Sequence, residues 1–266
     1  RLPRLRRLPG AGDRPRAAVA QGVAHHHLPA VRTRLPPAAT ERRPRTASAR
    51  RAMSANPTRT RLLDYLERRE YLRTPAVRAG MEAVDRAAFV PQPQRYAAWD
   101  DTPLPIGRGQ TISAPHMVAM MLEELQPQPG QRLLEVGSGC GYHAAVAAAM
   151  VAPGGEVHTV ERIPQLAQRA RANLAGVTNA TVHHGDGSCG LPELAPFDRI
   201  MVTCGAPRLP GPLREQLAVR GRMVVPVGGR TLQALLVIER DGDEWREERR
   251  PGVAFVPLIG KHGYED

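Results

Sequence analysis

Five residues, Gly137-Ser-Gly-Cys-Gly141, limit what this chain can fold into more than any others. Alternating glycines cannot extend a regular helix or strand, but their neighbours can. Leu133 to Val136, apolar except for Glu135, read as a short buried parallel strand. Tyr142 to Met150 read as an Ala-rich helix. Strand, glycine turn and helix bring a ligand against bare backbone N–H groups at a helix N-terminus. The spacing departs from the dinucleotide fingerprint, because Tyr142 stands where the third glycine of Gly-x-Gly-x-x-Gly belongs. Glu135 departs from it too. Taken alone, the motif also suits a tight turn in some other α/β protein.

The following segment completes a βαβ unit. Pro153-Gly-Gly155 ends the helix, and Glu156 to Val160 form a second strand rich in β-branched residues. Glu161 stands at that strand's carboxyl end, 20 positions after Gly141. A carboxylate there can accept both ribose hydroxyls of a nucleoside at the mouth of a doubly wound sheet, or it can be a solvated Glu beside Arg162. The glycine turn with Glu135 resembles the first motif of the class I S-adenosylmethionine-dependent methyltransferases. That resemblance implies an α/β fold, Rossmann-like and doubly wound around a mostly parallel sheet.

The net charge of +11 first suggests a nucleic-acid partner, but its distribution removes the argument. Residues 1–51 carry 13 Arg against Asp13 and Glu41, which accounts for 13 − 2 = +11. The remainder holds 37 − 13 = 24 basic and 26 − 2 = 24 acidic residues, so it is neutral. Residues 1–52 are rich in Arg, Pro and Ala and lack periodic apolar order, which predicts a disordered extension. It can be read as a basic arm, a targeting peptide, or upstream sequence from an over-extended reading frame. The last is favoured because Met53-Ser-Ala-Asn-Pro57 opens a regular sequence. Residues 53–266 form the expected catalytic domain, since 42% hydrophobic content suffices for one core. No apolar run is long enough to span a bilayer. Cys140, Cys189 and Cys204 show no paired spacing, and His25-His26-His27 has no partner ligands nearby, so neither a disulfide framework nor a metal site is expected. A cytoplasmic protein follows from this reading.

Ahead of the glycine turn, residues 58–72 and then Thr74-Pro75 to Val84 read as amphipathic helices forming a layer at one end of the sheet. Asp101 to Pro115 is rich in Pro and Gly and reads as loop before a helix over Met117 to Leu125. Spacing alone makes Ser113 the cap of that helix, with Pro115 in its first turn, and His116 an ordinary first-turn residue. Beyond the second strand, 163–174 reads as helix, and Thr181-Val-His-His184 and Asp198 to Thr203 as strands. Leu209 to Val219 reads as helix, followed by strands at Arg222 to Val227 and Leu232 to Ile238 and a turn at Asp241-Gly-Asp243. Asp186 at a strand end can meet an adenine amino group or simply form an Asp-Gly turn.

Gln110-Thr-Ile-Ser-Ala-Pro-His-Met117 shortly before the glycine turn narrows the comparison. With Val160-Glu-Arg-Ile163, His184-Gly-Asp-Gly187, Val202-Thr-Cys-Gly-Ala-Pro207 and Val253-Ala-Phe-Val-Pro-Leu258, it resembles the protein-L-isoaspartate (D-aspartate) O-methyltransferases from about residue 58 onward. The resemblance implies methyl transfer from S-adenosylmethionine to the α-carboxyl of L-isoaspartyl residues in damaged proteins, performed by a monomer with no nucleic-acid or membrane partner. It implies that Ser113 positions the substrate carboxylate, with Thr111 and Ile112 shaping the loop beside the cofactor. Glu135 and the amides of Gly137, Gly139 and Cys140 would hold the methionyl end, Glu161 the ribose, and Asp186 with Gly187 the adenine. Val256, Pro257 and Leu258 would cover the substrate backbone. Cys140 departs from the small hydroxyl residue frequent at that position, a change close in size. The alternative is a class I methyltransferase acting on a small molecule or nucleic acid.

Overall fold

The computed structural model describes residues 57–265; the extension expected over 1–52, with His25, His26 and His27, lies outside the described residues. Helices α1 (Pro57–Arg68), α2 (Pro75–Ala83) and α3 (Arg86–Phe89) come first, and Thr74 caps α2 by accepting the Val77 N–H. The stretch expected to be loop contains a small antiparallel hairpin, β1 (Leu104–Gly107) and β2 (Gln110–Ile112). Three residues at its turn, Gly107, Arg108 and Gly109, have positive φ. Their glycines were legible as turn signals, but strands of four and three residues are too short to show a period.

Helix α4 (Pro115–Leu125) leads into β3 (Arg132–Val136), and the glycine turn delivers the chain to α5 (Tyr142–Val151). There follow β4 (Glu156–Glu161), α6 (Pro164–Asn173), β5 (Ala180–His184) and β6 (Phe197–Val202). Helix α7 (Gly211–Glu215) is much shorter than the expected span. Leu217 already belongs to β7 (Leu217–Gly228), where it pairs with Phe197, and Pro210 and Pro212 leave only one turn before it. Strands β8 (Gln233–Asp241) and β9 (Glu244–Val253) complete the sheet through a turn in which Gly242 has φ +62°.

The sheet order is β5-β4-β3-β6-β7-β8-β9, parallel through β7 and antiparallel for the last two strands. The chain winds outward from β3 through β4 to β5, then returns to the other side of β3 with β6. That reversal is the switch point, where ligands bind at the carboxyl ends of parallel strands. Both faces are covered, so Leu133, Leu134, Ile200, Met201, Met223 and Val224 are completely buried. α5 is buried nearly all round, which is why beyond Tyr142 and His143 it consists of Ala, Val and Met without a polar face. Gly80 on α2 lies against Met150 and Val146 on α5, which lets the N-terminal helical layer pack closely on that helix.

Candidate active site

At the switch point a cavity opens beyond β3, β4 and β6. Its lining brings together Thr111, Ile112, Ser113, Glu135, Gly137, Gly139, Cys140, Glu161, Gly187, Val256, Pro257 and Leu258. Residues over a hundred positions apart in sequence therefore share one wall. The carboxyl-terminal segment is fixed there because the Gly205 N–H donates to the Val256 carbonyl and the Leu258 N–H to the Gly205 carbonyl. Asp186 is the exception.

The Asp186 carboxylate is turned to other work. It accepts the Ser188 N–H and hydroxyl at 2.9 and 2.7 Å and the Lys261 N–H at 2.7 Å. Burial opposes its charge, but these donors hold its pKa below the ordinary carboxylate value. It pins the chain end to the loop after β5 and does not line the cavity. Gly187 does, and a Cβ there would meet Val136 Cγ1 at 2.6 Å. The Asp-Gly turn expected from the sequence is thus formed at Asp186.

The glycine turn also differs from expectation. Its N–H groups are not bare: Gly137 and Ser138 donate to the Val160 carbonyl, Gly141 to Ser138, and Gly139 to Glu161 Oε2 at 2.9 Å. Positive φ at Gly137, Gly139 and Gly141 curls the loop onto the end of β4, so these four donors are consumed internally. A Cβ on Gly137 would also meet Thr203 Oγ1 at 2.5 Å. Such a loop is a poor phosphate cradle but a close neutral wall.

The carboxylates give that wall its character. Glu161 accepts Gly139 N–H with one oxygen and Ile163 N–H with the other, which fixes its orientation at the cavity edge. Glu135 is wholly buried. Its Oε2 accepts the Thr159 hydroxyl at 2.5 Å, and Thr159 is in turn 2.6 Å from the Ser138 hydroxyl. Oε1 has no hydrogen-bond partner among the described residues, and Glu135 lines the cavity. Desolvation raises the Glu135 pKa to about 8, with the Thr159 hydrogen bond opposing and the Glu161 charge adding to the rise. A site with two carboxylates and an orphaned buried acceptor suits a cationic nucleoside better than a dinucleotide.

Ser113 is not the cap of α4. The cap position belongs to Ala114, whose carbonyl accepts the Met117 and Val118 N–H groups. Ser113 sits one residue earlier, with its carbonyl held by Arg86 at 2.9 Å, and the residue lines the cavity. Arg86 is fully buried and also donates to the carbonyls of Ala98 and Thr102. Sequence reasoning missed it, because nothing in Asp85-Arg-Ala distinguishes an internal guanidinium from a surface one. His116 is outside the cavity lining; its N–H and Nδ1 both lie 2.9 Å from Asp101 Oδ1, and its ring packs on Tyr71.

Comparison with known proteins decides the family. The model for "Protein-L-isoaspartate(D-aspartate) O-methyltransferase (PCMT)" matches residues 57–263. The chain belongs to that family. A protein-L-isoaspartate O-methyltransferase from Methanothermobacter thermautotrophicus is 51% identical over 211 residues, spanning 78% of this chain and 97% of its own. One from Methanopyrus kandleri is 53% identical over 212 residues, spanning 78% and 94%. Among solved structures, a Plasmodium falciparum protein-L-isoaspartate O-methyltransferase in complex with S-adenosyl-L-homocysteine aligns with TM-score 0.69 and 29% identity, covering 76% of this chain and 98% of its own. The protein is therefore a protein-repair methyltransferase of class I fold, dependent on S-adenosylmethionine.

Proposed function

We propose that this methyltransferase esterifies the α-carboxyl of L-isoaspartyl residues, with Ser113 positioning the substrate carboxylate. The observation that carries the role is the displacement of Ser113 from the helix cap: its carbonyl is anchored by buried Arg86 and the residue lines the cavity. S-adenosylmethionine, when bound, supplies an electrophilic methyl group on a sulfonium. Glu135 and the close glycine wall would hold its methionyl end, Glu161 its ribose, and Gly187 would border the adenine. A substrate carboxylate with an ordinary pKa near 4 is already ionised at neutral pH, so the chain has no need of a general base. What Ser113 supplies is orientation, holding the nucleophilic oxygen in line with the methyl group. Val256, Pro257 and Leu258, which line the same cavity, would cover the substrate backbone.

The reading extends to a monomer working in the cytoplasm without nucleic-acid or membrane partners. Residues 52–266 sum to zero formal charge, and among the described residues no helix is long and apolar enough to cross a membrane. Edge strand β9 presents Arg246, Glu247, Glu248, Arg249 and Arg250, a charged series that opposes pairing with another sheet.

Ser113→Ala should lower kcat with an isoaspartyl peptide at least ten-fold while leaving the affinity for S-adenosyl-L-homocysteine within about two-fold. Transfer of labelled methyl to matched isoaspartyl and aspartyl peptides, alongside calorimetric binding, measures both. Unchanged turnover of the variant would remove Ser113 from the mechanism. Cofactor binding by the native protein without transfer to either peptide would remove the proposed substrate.

A further inference from the structure

Three buried side-chain nitrogen or oxygen atoms lack a hydrogen-bond partner among the described residues: Glu135 Oε1, His143 Nε2 and Arg222 Nε. The first two belong to residues lining the same cavity. The family resemblance gives Glu135 a place at the methionyl end and gives His143 none. A buried polar atom left without a partner costs on the order of 1–3 kcal/mol, so its retention beside a binding cavity calls for a ligand group that completes it.

His143 stands in the first turn of α5, two residues after Gly141, and is buried. The Val118 backbone favours the protonated ring, but burial outweighs it. Nε2 has no hydrogen-bond partner among the described residues. With its proton on Nδ1, the neutral ring presents a bare lone pair at Nε2. Burial pushes the imidazole pKa down to about 4, so the ring stays neutral throughout the physiological range. An uncharged acceptor in the first turn of α5 calls for an N–H donor on whatever occupies the adjoining end of the cavity.

We propose that His143 is a positioning residue for the methionyl head of the cofactor, its Nε2 accepting a hydrogen bond from the α-ammonium on the same side of the cavity as Glu135. The inference rests on the assignment of this cavity to S-adenosylmethionine, but not on the identity of the methyl acceptor. The ammonium supplies three N–H donors, enough for a carboxylate oxygen and an imidazole nitrogen together. Glu135 supplies charge and His143 supplies direction. The ring thereby fixes the rotation of the amino-acid head, and through it the line of the sulfonium.

The test compares two ligands that share the thioadenosine moiety: S-adenosyl-L-homocysteine, which has the amino-acid head, and 5′-methylthioadenosine, which lacks it. Binding of each is measured by calorimetry to the native protein, His143→Leu and His143→Gln. The expected result is that His143→Leu weakens S-adenosyl-L-homocysteine roughly ten-fold, leaves 5′-methylthioadenosine unchanged, and is largely rescued in His143→Gln, whose amide oxygen is a substitute acceptor. Equal weakening of both ligands would overturn the proposal in favour of a packing role. Unchanged binding of both, with a raised KM for isoaspartyl peptide, would overturn it in favour of a substrate contact. Methyl transfer by the native protein to the isoaspartyl peptide, measured separately, tests the acceptor assignment without bearing on this result.

Discussion

Glu135, in its proposed place at the methionyl end, would couple cofactor binding to protons. Its pKa near 8 means that the folded, ligand-free protein holds a proton there at neutral pH, whereas the unfolded chain releases it near 4.5. The folded state then binds more protons than the unfolded state between these values. Its contribution is most favourable below pH 4.5 and declines as pH rises toward 8. An α-ammonium beside Oε1 stabilises the ionised carboxylate and reverses the preference, so binding should expel a proton. Affinity for S-adenosyl-L-homocysteine should accordingly rise from pH 6 to about pH 8. Calorimetry at pH 7 in buffers of different ionisation enthalpy should show proton release approaching one per ligand. Glu135→Gln should abolish both the release and this part of the pH slope while weakening binding about ten-fold or more. A native protein that binds with no proton exchange would contradict the assignment.

At the scale of elements, the serine segment is held by a residue outside it. Arg86 at the start of α3 gathers the carbonyls of Ala98, Thr102 and Ser113, and its guanidinium lies 5.5 Å from the Tyr142 ring centroid. One side chain thus fastens the loop, the hairpin approach and the first turn of α5. Arg86→Met keeps much of the volume but leaves three carbonyls without their donor. It should cost on the order of 2–4 kcal/mol in urea unfolding and lower kcat for peptide more than it weakens S-adenosyl-L-homocysteine binding. Equal loss of both functions would mean that Arg86 supports the whole site, not the serine loop. The same element explains what could be read in advance. The βαβ unit was legible because β3 and β4 are apolar and β-branched runs on either side of an Ala-rich helix, and glycines mark the turns between them. The serine segment was legible only by resemblance: its local spacing points to a helix cap, and the anchor that shifts Ser113 off the cap stands 27 residues away. The surroundings of Asp186 were illegible for a related reason. One of the donors to its carboxylate is the Lys261 N–H, 75 residues further along the chain, which no local pattern signals.

Taken as a whole molecule, the charge is carried by one part and the catalytic elements by another. Residues 1–51 account for the full +11, while the family match begins at residue 57 and the remainder is neutral. Thirteen arginines in so short a span attract polyanions without any folded site, because each phosphate contact releases condensed counterions. Among the described residues, every one lining the cavity lies at or beyond Gln110, and the family match begins at residue 57. A chain beginning at Met53 should therefore keep kcat and S-adenosyl-L-homocysteine affinity within about two-fold of the full chain. Retention on immobilised duplex DNA should behave oppositely: the full chain should bind at low salt and elute steeply as salt rises, and the shortened chain should pass through. Salt-sensitive retention that survives the truncation would locate a nucleic-acid surface on the folded part, despite its neutral sum. A drop in methyl transfer on truncation would instead tie the basic segment to substrate capture, where its arginines would act on acidic damaged proteins through the same field.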